Sequence, residues 1–368
     1  MRELKDIAEK FQIDAPVEKI EAYGSGHIHD TYKVETGDPA SDNYILQKLN
    51  SRVFNNIRQL QENINIVTKH IRNKLLRDNI PDLKRRILTV IPCHDGALFH
   101  TDQHSSCWRM YIFISEHRTY DIVQSFQHAR EGGKAIGRFQ SQLSDLDSMR
   151  LHVTIPFFHD IEHRLEAFYL AIERDEKGRV QNIREEIAFV ENRAREMMVI
   201  KKLGKEGKIP LRITHNDTKF NNILLDNNDR ALCVIDLDTV MPGYIHYDFG
   251  DAIRTTATRS AEDETDLNKV ELDIKLFEAY SEGYLSEMVN ILTADEVEYL
   301  AFSPRLITFT IGLRFLTDYV DGDKYFKTHR PEHNLERAKT QFKLVESNER
   351  QYKAMKDIIS NIIERNRY

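Results

Sequence analysis

The chain has little cysteine, which excludes two kinds of chemical stabilisation at the outset. The three cysteines among 368 residues are Cys93, Cys107 and Cys233. Their spacing contains no close pair of the kind that holds zinc, and an odd number argues against a disulfide framework. We therefore expect reduced cysteines that act only as packing residues.

A long apolar run and an excess of positive charge are also missing. No stretch approaches the roughly 18 uninterrupted apolar residues of a membrane-spanning helix, and residues 1–13 are typical of an amphipathic helix. The 52 Lys and Arg against 59 Asp and Glu give a net charge of −7, without a basic block suited to nucleic acid. We expect a cytoplasmic protein that binds neither membrane nor nucleic acid.

What remains is the composition of an ordinary globular protein, 40% hydrophobic and 30% charged, with a length that suits two domains. Strand-like runs dominate up to about residue 114, beginning with strand, turn and strand between residues 17 and 50. Helical patterns dominate afterwards. We predict an α+β protein with a strand-rich N-terminal lobe over 1–114 and a mostly helical lobe over 115–368.

Several helices are predicted from apolar residues at helical spacing. Residues 53–76 and 182–202 each carry one apolar stripe, which is typical of a core-facing helix and not of a cofactor site. Thr293 and Glu296 form a capping-box signature at the start of another helix. We expect that helix to break at Pro304 and to resume afterwards.

Residues 213–243 concentrate small carboxylates and amides around two apolar runs. The runs predict two strands of a hairpin, and a hairpin brings the polar residues at its open ends together. Asp217 and Asn222 come before the first strand, and Asp236 follows the second. A capped loop with a solvated acidic turn is the simpler interpretation of such residues.

Kinase chemistry uses these residue types at this spacing. Asn222 and Asp236 offer oxygen ligands for Mg²⁺, which takes its other ligands from phosphates and water. Asp217 is then available to accept the proton of a hydroxyl nucleophile. We predict Asp217 as the catalytic residue and as a substrate contact, and Asn222 and Asp236 as the metal ligands, with ATP and Mg²⁺ as cofactors.

The chain resembles the aminoglycoside phosphotransferase and choline kinase superfamily, and more closely the bacterial N-acetylhexosamine 1-kinases of sugar salvage. Between residues 23 and 323 the matching blocks are GSGHIHDTY, YILQKLN, EHRTYDIV, IPFFHDIEHR, ITHNDTKFNNILLD, HYDFGDAIR and GLRFLTDYVDGD. Asn216 stands where the family usually has glycine. The resemblance implies a bilobal, protein-kinase-like fold with a small antiparallel-sheet N-lobe and a mostly helical C-lobe.

The N-terminal part offers the parts of a nucleotide site. Gly24 and Gly26 lie between two strands, where a glycine turn can close over phosphates, although ordinary hairpins use glycine too. Lys48 ends the next strand, at the position of the lysine that contacts the α- and β-phosphates in kinases. Glu62, on the following helix, is the candidate partner of Lys48. An exposed strand lysine is the structural alternative for Lys48, and an ordinary surface glutamate is the alternative for Glu62.

Asp248 belongs to a DFG triplet, but its spacing is wrong for the metal ligand of protein kinases. It lies 31 residues after Asp217, whereas Asp236 lies 19 after and follows an apolar strand directly. The resemblance implies instead that Asp248 stabilises the catalytic loop, as an aspartate after the metal site usually does in this family. His159 and His163, four residues apart, lack a third ligand, so we interpret them as ordinary histidines.

The resemblance also places acceptor contacts in the helical lobe. Arg314 and Tyr325 are the predicted substrate residues, since a guanidinium and a phenol both bind sugar oxygens. An ion pair between Arg314 and Asp318, one helical turn away, is the structural alternative.

The leading hypothesis is an ATP- and Mg²⁺-dependent kinase that phosphorylates the anomeric hydroxyl of N-acetylglucosamine or N-acetylgalactosamine. A kinase of another small alcohol, such as an aminoglycoside, choline or a different sugar, is the second. The acidic stretch 260–273 could bind a cationic acceptor of that kind. A nucleotide-binding pseudokinase is the third hypothesis, and the oligomeric state is left open.

Overall fold

The computed structural model describes residues 2–24 and 28–367. The helices are α1 Arg2–Ala8, α2 Ile57–Arg77, α3 Leu83–Arg86, α4 Phe126–Leu143, α5 Ile161–Arg174, α6 Arg184–Met197, α7 Val199–Lys205, α8 Ile245–Thr256, α9 Ile274–Met288, α10 Ala294–Glu298, α11 Ser303–Asp321 and α12 His333–Arg367. The strands are β1 Val17–Ala22, β2 Asp30–Thr36, β3 Tyr44–Lys48, β4 Val90–Ile91, β5 His100–Thr101, β6 Cys107–Ile112, β7 Arg212–Thr214, β8 Ile223–Leu225, β9 Ala231–Val234 and β10 Met241–Gly243.

The chain divides into two compact units. The first comprises Met1–Arg118, Asp145–Pro156 and Leu224–Pro242, and the second comprises Thr119–Ser144, Phe157–Ile223 and Gly243–Tyr368. The first holds the larger sheet and the second holds most of the helices, so the predicted α+β class with a sheet lobe and a helical lobe is confirmed. The lobe boundary between residues 114 and 115 stays a prediction.

The sheet of the first unit is antiparallel in the order β1-β2-β3-β6-β4, with β5 also paired to β6. Its strands form because apolar residues alternate along them, as in β3, where Tyr44 and Leu46 are buried. Phe11, Val34 and Met110 complete the same core, and burying each such side chain contributes roughly 1.5–3 kcal/mol. The predicted strands in residues 17–50 are confirmed.

The helix predicted over 53–76 begins later than expected. Asn56 caps α2 by accepting a hydrogen bond from the Gln59 amide at 3.1 Å, so the helix starts at Ile57. Val53 lies outside α2 and is 39% exposed. The predicted start of this helix at residue 53 is therefore one turn too early.

Two predictions in the helical unit need correction. The helix expected over 182–202 is divided into α6 and α7 at Met198, where no glycine or proline marks the change. Pro304 does not break a helix, because it lies in the first turn of α11, where an amide donor is not required. The capping box of Thr293 and Glu296 is confirmed by reciprocal side-chain bonds of 2.8 and 3.2 Å.

Helices α4 and α9 pack at very short range. A Cβ atom on Gly133 would lie 2.1 Å from the Tyr280 carbonyl oxygen, and one on Gly283 would lie 1.9 Å from that of Arg130. Only glycine permits such an approach. The contact brings the Tyr284 hydroxyl within 2.5 Å of Gln140 Oε1, and both side chains are buried. Gln140 connects this helix pair to the loop described below.

His246, in α8, makes the stability of the helical unit dependent on pH. It is fully buried, its Nε2 donates to the Glu296 carbonyl at 3.0 Å, and burial lowers its pKa to about 4. The unfolded chain protonates a histidine near pH 6.5, so the unfolded state binds the extra proton between the two pKa values. The contribution of the neutral His246 ring to the unfolding free energy is therefore fully present above about pH 6.5 and is lost as the pH falls toward 4.

We expect the His246→Gln variant to weaken this pH dependence, because a glutamine amide can donate to the same carbonyl without titrating. Between pH 6 and pH 5 the unfolding free energy of the wild type should fall by about 1.4 kcal/mol more than that of the variant. Urea unfolding at pH 7.5, 6 and 5 measures both. Parallel pH dependence of the two proteins would contradict the assignment.

Within the described residues, no helix combines the length and the hydropathy that a bilayer crossing requires.

Candidate active site

The loop that follows β7 carries the predicted catalytic residue. Asn216 has a φ of +66°, a left-handed conformation that asparagine tolerates better than most residues. The Asn216 side chain closes a local ring, accepting from the Thr214 hydroxyl at 3.1 Å and donating to the Thr214 carbonyl at 3.3 Å. These bonds explain how asparagine can occupy a position where the family that the chain resembles usually has glycine.

Asp248, at the start of α8, holds the backbone of this loop. The buried carboxylate accepts from the amides of His215 and Asn216 at 2.8 and 2.6 Å, and from Gln140 Nε2 at 2.7 Å. Burial raises the pKa of Asp248, although these three donors oppose the shift. Thr218 adds a bond from its hydroxyl to the Asp248 carbonyl at 2.7 Å. These contacts are those of the loop-stabilising residue predicted from the sequence.

The two oxygens of Asp217 differ in their surroundings. Oδ2 lies 3.1 Å from Lys219 Nζ and 3.2 Å from Asn222 Nδ2. Oδ1 receives no hydrogen bond from any residue that the structure describes, and the side chain is 22% exposed. One oxygen is therefore fixed, and the other can accept a proton or a hydrogen bond from a ligand.

The Asn222 side chain is oriented by the same residue. Its amide nitrogen donates to the Asp217 carbonyl at 2.8 Å as well as to the carboxylate, which turns Oδ1 away. Among residues 2–24 and 28–367, no donor bonds that oxygen. The arrangement fits an amide oxygen that is available to a cation. Asp217 and Asn222 both lie in the second unit.

The predicted acceptor residues lie together in the second unit. The Arg314 guanidinium carbon is 5.7 Å from the centre of the Tyr325 ring and 5.6 Å from that of Phe158. Burial lowers the pKa of Arg314, and Tyr325 is the strongest opposing influence. Tyr325 itself is 69% exposed, so it can present its ring and hydroxyl to a ligand.

The alternative ion pair between Arg314 and Asp318 is not formed. The Asp318 carboxylate instead accepts from the backbone amides of Lys324, Tyr325 and Phe326 at 2.8–3.0 Å, and from Asn334 at 2.9 Å. Asp318 thus fixes the segment that carries Tyr325. Within the described part of the chain, no carboxylate forms an ion pair with Arg314.

Sequence reasoning missed Arg164, a second arginine in this region. One of its terminal nitrogens donates to the Phe158 carbonyl at 3.0 Å, while its Nε is buried without a partner. Burial, together with the charge of Arg314, lowers its pKa to about 10. Its neighbour Asp160 is already bound by Lys201 at 2.6 Å through each oxygen. The motif FFHDIEHR contained Arg164, but periodicity alone gave it no role.

His159, next to Phe158 in sequence, contacts the catalytic loop. Its Nε2 donates to the Asn216 carbonyl at 3.0 Å, while Nδ1 is buried without a partner. Burial lowers the pKa of His159 to about 4, so the ring is neutral. His163, by contrast, stacks on Phe157 at 4.5 Å. The two histidines therefore make different contacts.

The predicted nucleotide residues lie in the first unit. Gly24 has a φ of +76° and open space where a Cβ would be, and Gly26 lies outside the described residues. Lys48 ends β3, with Nζ 5.8 Å from the centre of the Trp108 ring. Glu62 accepts from His152 Nε2 at 3.0 Å, and its predicted pairing with Lys48 stays a prediction.

Asp236 follows β9 in the same unit and adopts an unusual conformation. Its φ of +60° and ψ of +57° are left-handed, and it opens a single helical turn over residues 237–239. The side chain is half-buried. The described residues include no group of three or more His, Cys, Asp or Glu arranged as a metal site. A Mg²⁺ ion needs only one or two protein ligands when phosphates supply others, so the donor types still fit.

The fold and the loop chemistry together define a phosphotransferase class. Residues 19–287 match the family model described as the phosphotransferase enzyme family, APH. This match covers more than half of the chain, so the protein belongs to the APH phosphotransferase family. The more specific resemblance to N-acetylhexosamine 1-kinases is not decided by this match.

Solved structures share the fold across nearly the full length. An aminoglycoside phosphotransferase from Alicyclobacillus acidocaldarius has a TM-score of 0.60 at 10% identity, covering 98% of this chain and 96% of its own. A microcompartment-associated aminopropanol kinase has a TM-score of 0.57 at 15% identity, with coverages of 96% and 98%. Amicoumacin kinase in complex with AMP-PNP, Ca²⁺ and its substrate gives 0.57 at 12%, with coverages of 97% and 93%. At these identities the likeness concerns the fold alone.

Proposed function

We propose that this phosphotransferase transfers the γ-phosphate of ATP to the anomeric hydroxyl of N-acetylglucosamine or N-acetylgalactosamine, giving the sugar 1-phosphate. The observation that carries the proposal is the pair of unequal oxygens on Asp217. Oδ2 is held by Lys219 and Asn222, and Oδ1 is open to an incoming hydroxyl. A reaction centre of this kind does not require a covalent enzyme intermediate.

The nucleotide and metal roles follow the kinase pattern. Gly24 and Gly26 contact the ATP phosphates, and Lys48, held by Glu62, contacts the α- and β-phosphates. Asn222 directly precedes strand β8 and Asp236 lies two residues beyond β9, so the two flank one hairpin and would be the Mg²⁺ ligands. When bound, Mg²⁺ neutralises charge on the transferring phosphate. The amicoumacin kinase structure, which holds AMP-PNP together with Ca²⁺, supports a site that binds a nucleotide and a divalent cation together.

The acceptor role of Arg314 and Tyr325 is supported by charge. Arg314 and its neighbour Arg164 have no carboxylate partner among the described residues. Two unpaired guanidiniums favour an acceptor with oxygen atoms and disfavour an amine, because a cation beside them would be repelled. A neutral sugar with an amide carbonyl and several hydroxyls supplies suitable acceptors.

The acidic stretch 260–273 offers little to a cationic acceptor. Glu262 is paired with Arg254 at 3.1 Å, Asp263 with His333 at 3.0 Å, and Asp273 with Arg259 at 3.1 Å. Of the other carboxylates, Glu264 is half-buried, and Asp266 and Glu271 are exposed. A kinase of choline, an aminoglycoside or another small alcohol therefore remains the second candidate, and the pseudokinase the third.

The chemical step balances without any further reactant. The anomeric oxygen attacks the γ-phosphorus, the bond to the β,γ-bridging oxygen breaks, and ADP leaves with its electron pair. Asp217 Oδ1 receives the proton of the hydroxyl as the new bond forms. Because an anomeric hydroxyl is more acidic than an ordinary alcohol, orientation and charge neutralisation are expected to supply most of the acceleration. We place this activity in the cytoplasm.

A coupled ADP-release assay with MgATP tests the proposal. Acceptors would be N-acetylglucosamine, N-acetylgalactosamine, galactose, choline and kanamycin, with an acceptor-free reaction to measure ATP hydrolysis. We expect turnover with the N-acetylated sugars. Turnover with choline or kanamycin alone would retain the kinase and overturn the assignment of its acceptor. Nucleotide binding without turnover on any acceptor would favour the pseudokinase.

A further inference from the structure

The first unit contains a buried ionic network that the predicted catalytic roles do not use. Asp238 is 3% exposed and its carboxylate binds the Arg109 guanidinium through both oxygens, one contact at 2.8 Å. His29 Nε2 adds a third donor at 2.7 Å to the same carboxylate. Arg109 is 2% exposed. Burial alone would raise the pKa of Asp238, but the charge of Arg109 and the hydrogen bonds from His29 and Arg109 lower it below its usual range.

The network reaches several strands of the sheet. His29 Nδ1 accepts from the Asn50 backbone amide at 3.0 Å, so Nε2 carries the proton that it donates to Asp238. On the other side, Arg109 Nε donates to Gln47 Oε1 at 2.9 Å. Gln47 belongs to β3 and Arg109 to β6, while His29 directly precedes β2. Asp238 is therefore held directly by Arg109 of β6 and by His29, which precedes β2. Gln47 of β3 holds Arg109 in turn.

Stability alone does not explain such a network. Removing two charges from water costs several kcal/mol, and well-packed apolar residues often replace a buried ion pair without loss. Asp238 lies two residues after Asp236, and Leu237 between them is buried. Asp236 has the left-handed backbone that non-glycine residues avoid, at a cost of roughly 1–3 kcal/mol. The surroundings must hold this conformation, and the carboxylate of Asp238, two residues further along, is fixed by Arg109 and His29.

We propose that His29, Arg109 and Asp238 are positioning residues that hold Asp236 in its metal-binding conformation. The inference rests on the proposed function, because it takes Asp236 as a Mg²⁺ ligand. Asp238 then is not a second metal ligand, since both its oxygens are engaged by Arg109 and His29. Because His29 directly precedes β2, its bond to Asp238 also links this loop to the sheet.

Two substitutions of His29 separate positioning from simple loss of a side chain. In His29→Gln the amide nitrogen can take the place of Nε2 and donate to Asp238. In His29→Asn the shorter side chain can accept from the Asn50 amide, as Nδ1 does, but cannot reach Asp238. If His29 positions Asp238, glutamine should preserve the Mg²⁺ dependence of nucleotide binding and asparagine should not.

The readout is ADP affinity measured by isothermal titration calorimetry, in excess Mg²⁺ and in EDTA. The ratio of the two affinities reports the metal contribution without any acceptor or turnover. We expect His29→Asn to lower this ratio by roughly tenfold, as removal of residues that orient metal ligands commonly does. His29→Gln should stay within about threefold of the wild type, and binding in EDTA should be the same in all three proteins.

Val34→Ala is the matched control for lost stability. Val34 lies in β2 and is fully buried, so its truncation destabilises the same sheet without touching the network. It should leave the Mg²⁺ dependence unchanged. A wild-type ratio in His29→Asn, or an equal fall in Val34→Ala, would overturn the inference. Wild-type protein whose ADP binding ignores Mg²⁺ would overturn the proposed function itself.

Discussion

Replacing Asp217 with asparagine is expected to lower kcat by about 10²–10⁴-fold while leaving MgATP binding nearly unchanged. Asparagine retains the size of the side chain and can still contact Lys219, which lies 3.1 Å from Oδ2. It cannot take the proton of the hydroxyl, and general base catalysis typically contributes a factor of this size. Steady-state kinetics on the acceptor identified by the ADP-release assay, with nucleotide affinity by calorimetry, measures both quantities.

Asp236→Ala provides the contrast for that experiment. Loss of a metal ligand should weaken Mg²⁺-dependent nucleotide binding as well as turnover, whereas binding in EDTA should be unaffected. If the two substitutions instead produced equal and small effects on the rate, neither residue would have the role assigned to it.

Replacing Asp248 with alanine is expected to lower the unfolding free energy by roughly 3–6 kcal/mol. The substitution leaves the amides of His215 and Asn216 and the Gln140 side chain without their acceptor in a fully buried place. Each buried donor left unpaired costs about 1–3 kcal/mol. Urea unfolding followed by circular dichroism gives the value, and activity should be lost with the loop.

Asp248→Asn should cost less than the alanine variant. The remaining oxygen of the asparagine can accept from the Asn216 amide, and Gln140 can turn its own oxygen toward the new amide nitrogen, because the Tyr284 hydroxyl can also accept. Only the His215 amide then loses its acceptor. Thr218→Val, which removes one hydroxyl donor to the Asp248 carbonyl, is the milder control. An alanine variant within about 1 kcal/mol of the wild type would contradict the loop-holding role.

Features that depend on nearby residues were predictable from the sequence. The hairpin of β8 and β9, the capping box and the strands β1 to β3 follow from patterns only a few residues long. Asp217, Asn222 and Asp236 were proposed as site residues because kinase chemistry requires their spacing around one hairpin, and their roles stay predictions. Distances along the chain argued against a metal-ligand role for Asp248, and the family resemblance implied its loop-holding role.

Features that depend on distant residues were not predictable in the same way. Asp248 and Gln140 are 108 residues apart, and Asp238 and Arg109 are 129 apart. No periodicity connects positions at such separations, so the partners appear only when the chain is folded. The arginine beside Arg314 escaped notice for the same reason.

Pro304 illustrates a different kind of error. A proline inside an apolar stretch predicts a helix break, but the same residue is favoured in the first helical turn. The choice depends on where the chain turns before it, which here is the short turn over residues 300–302. Local sequence alone does not determine that turn.

Phosphorus NMR of the product formed from MgATP and N-acetylglucosamine tests the central claim most directly. The account predicts a phosphate coupled to the anomeric proton of the sugar, formed together with one equivalent of ADP and absent in the Asp217→Asn reaction. A phosphate on another sugar oxygen, or release of inorganic phosphate alone, would contradict it.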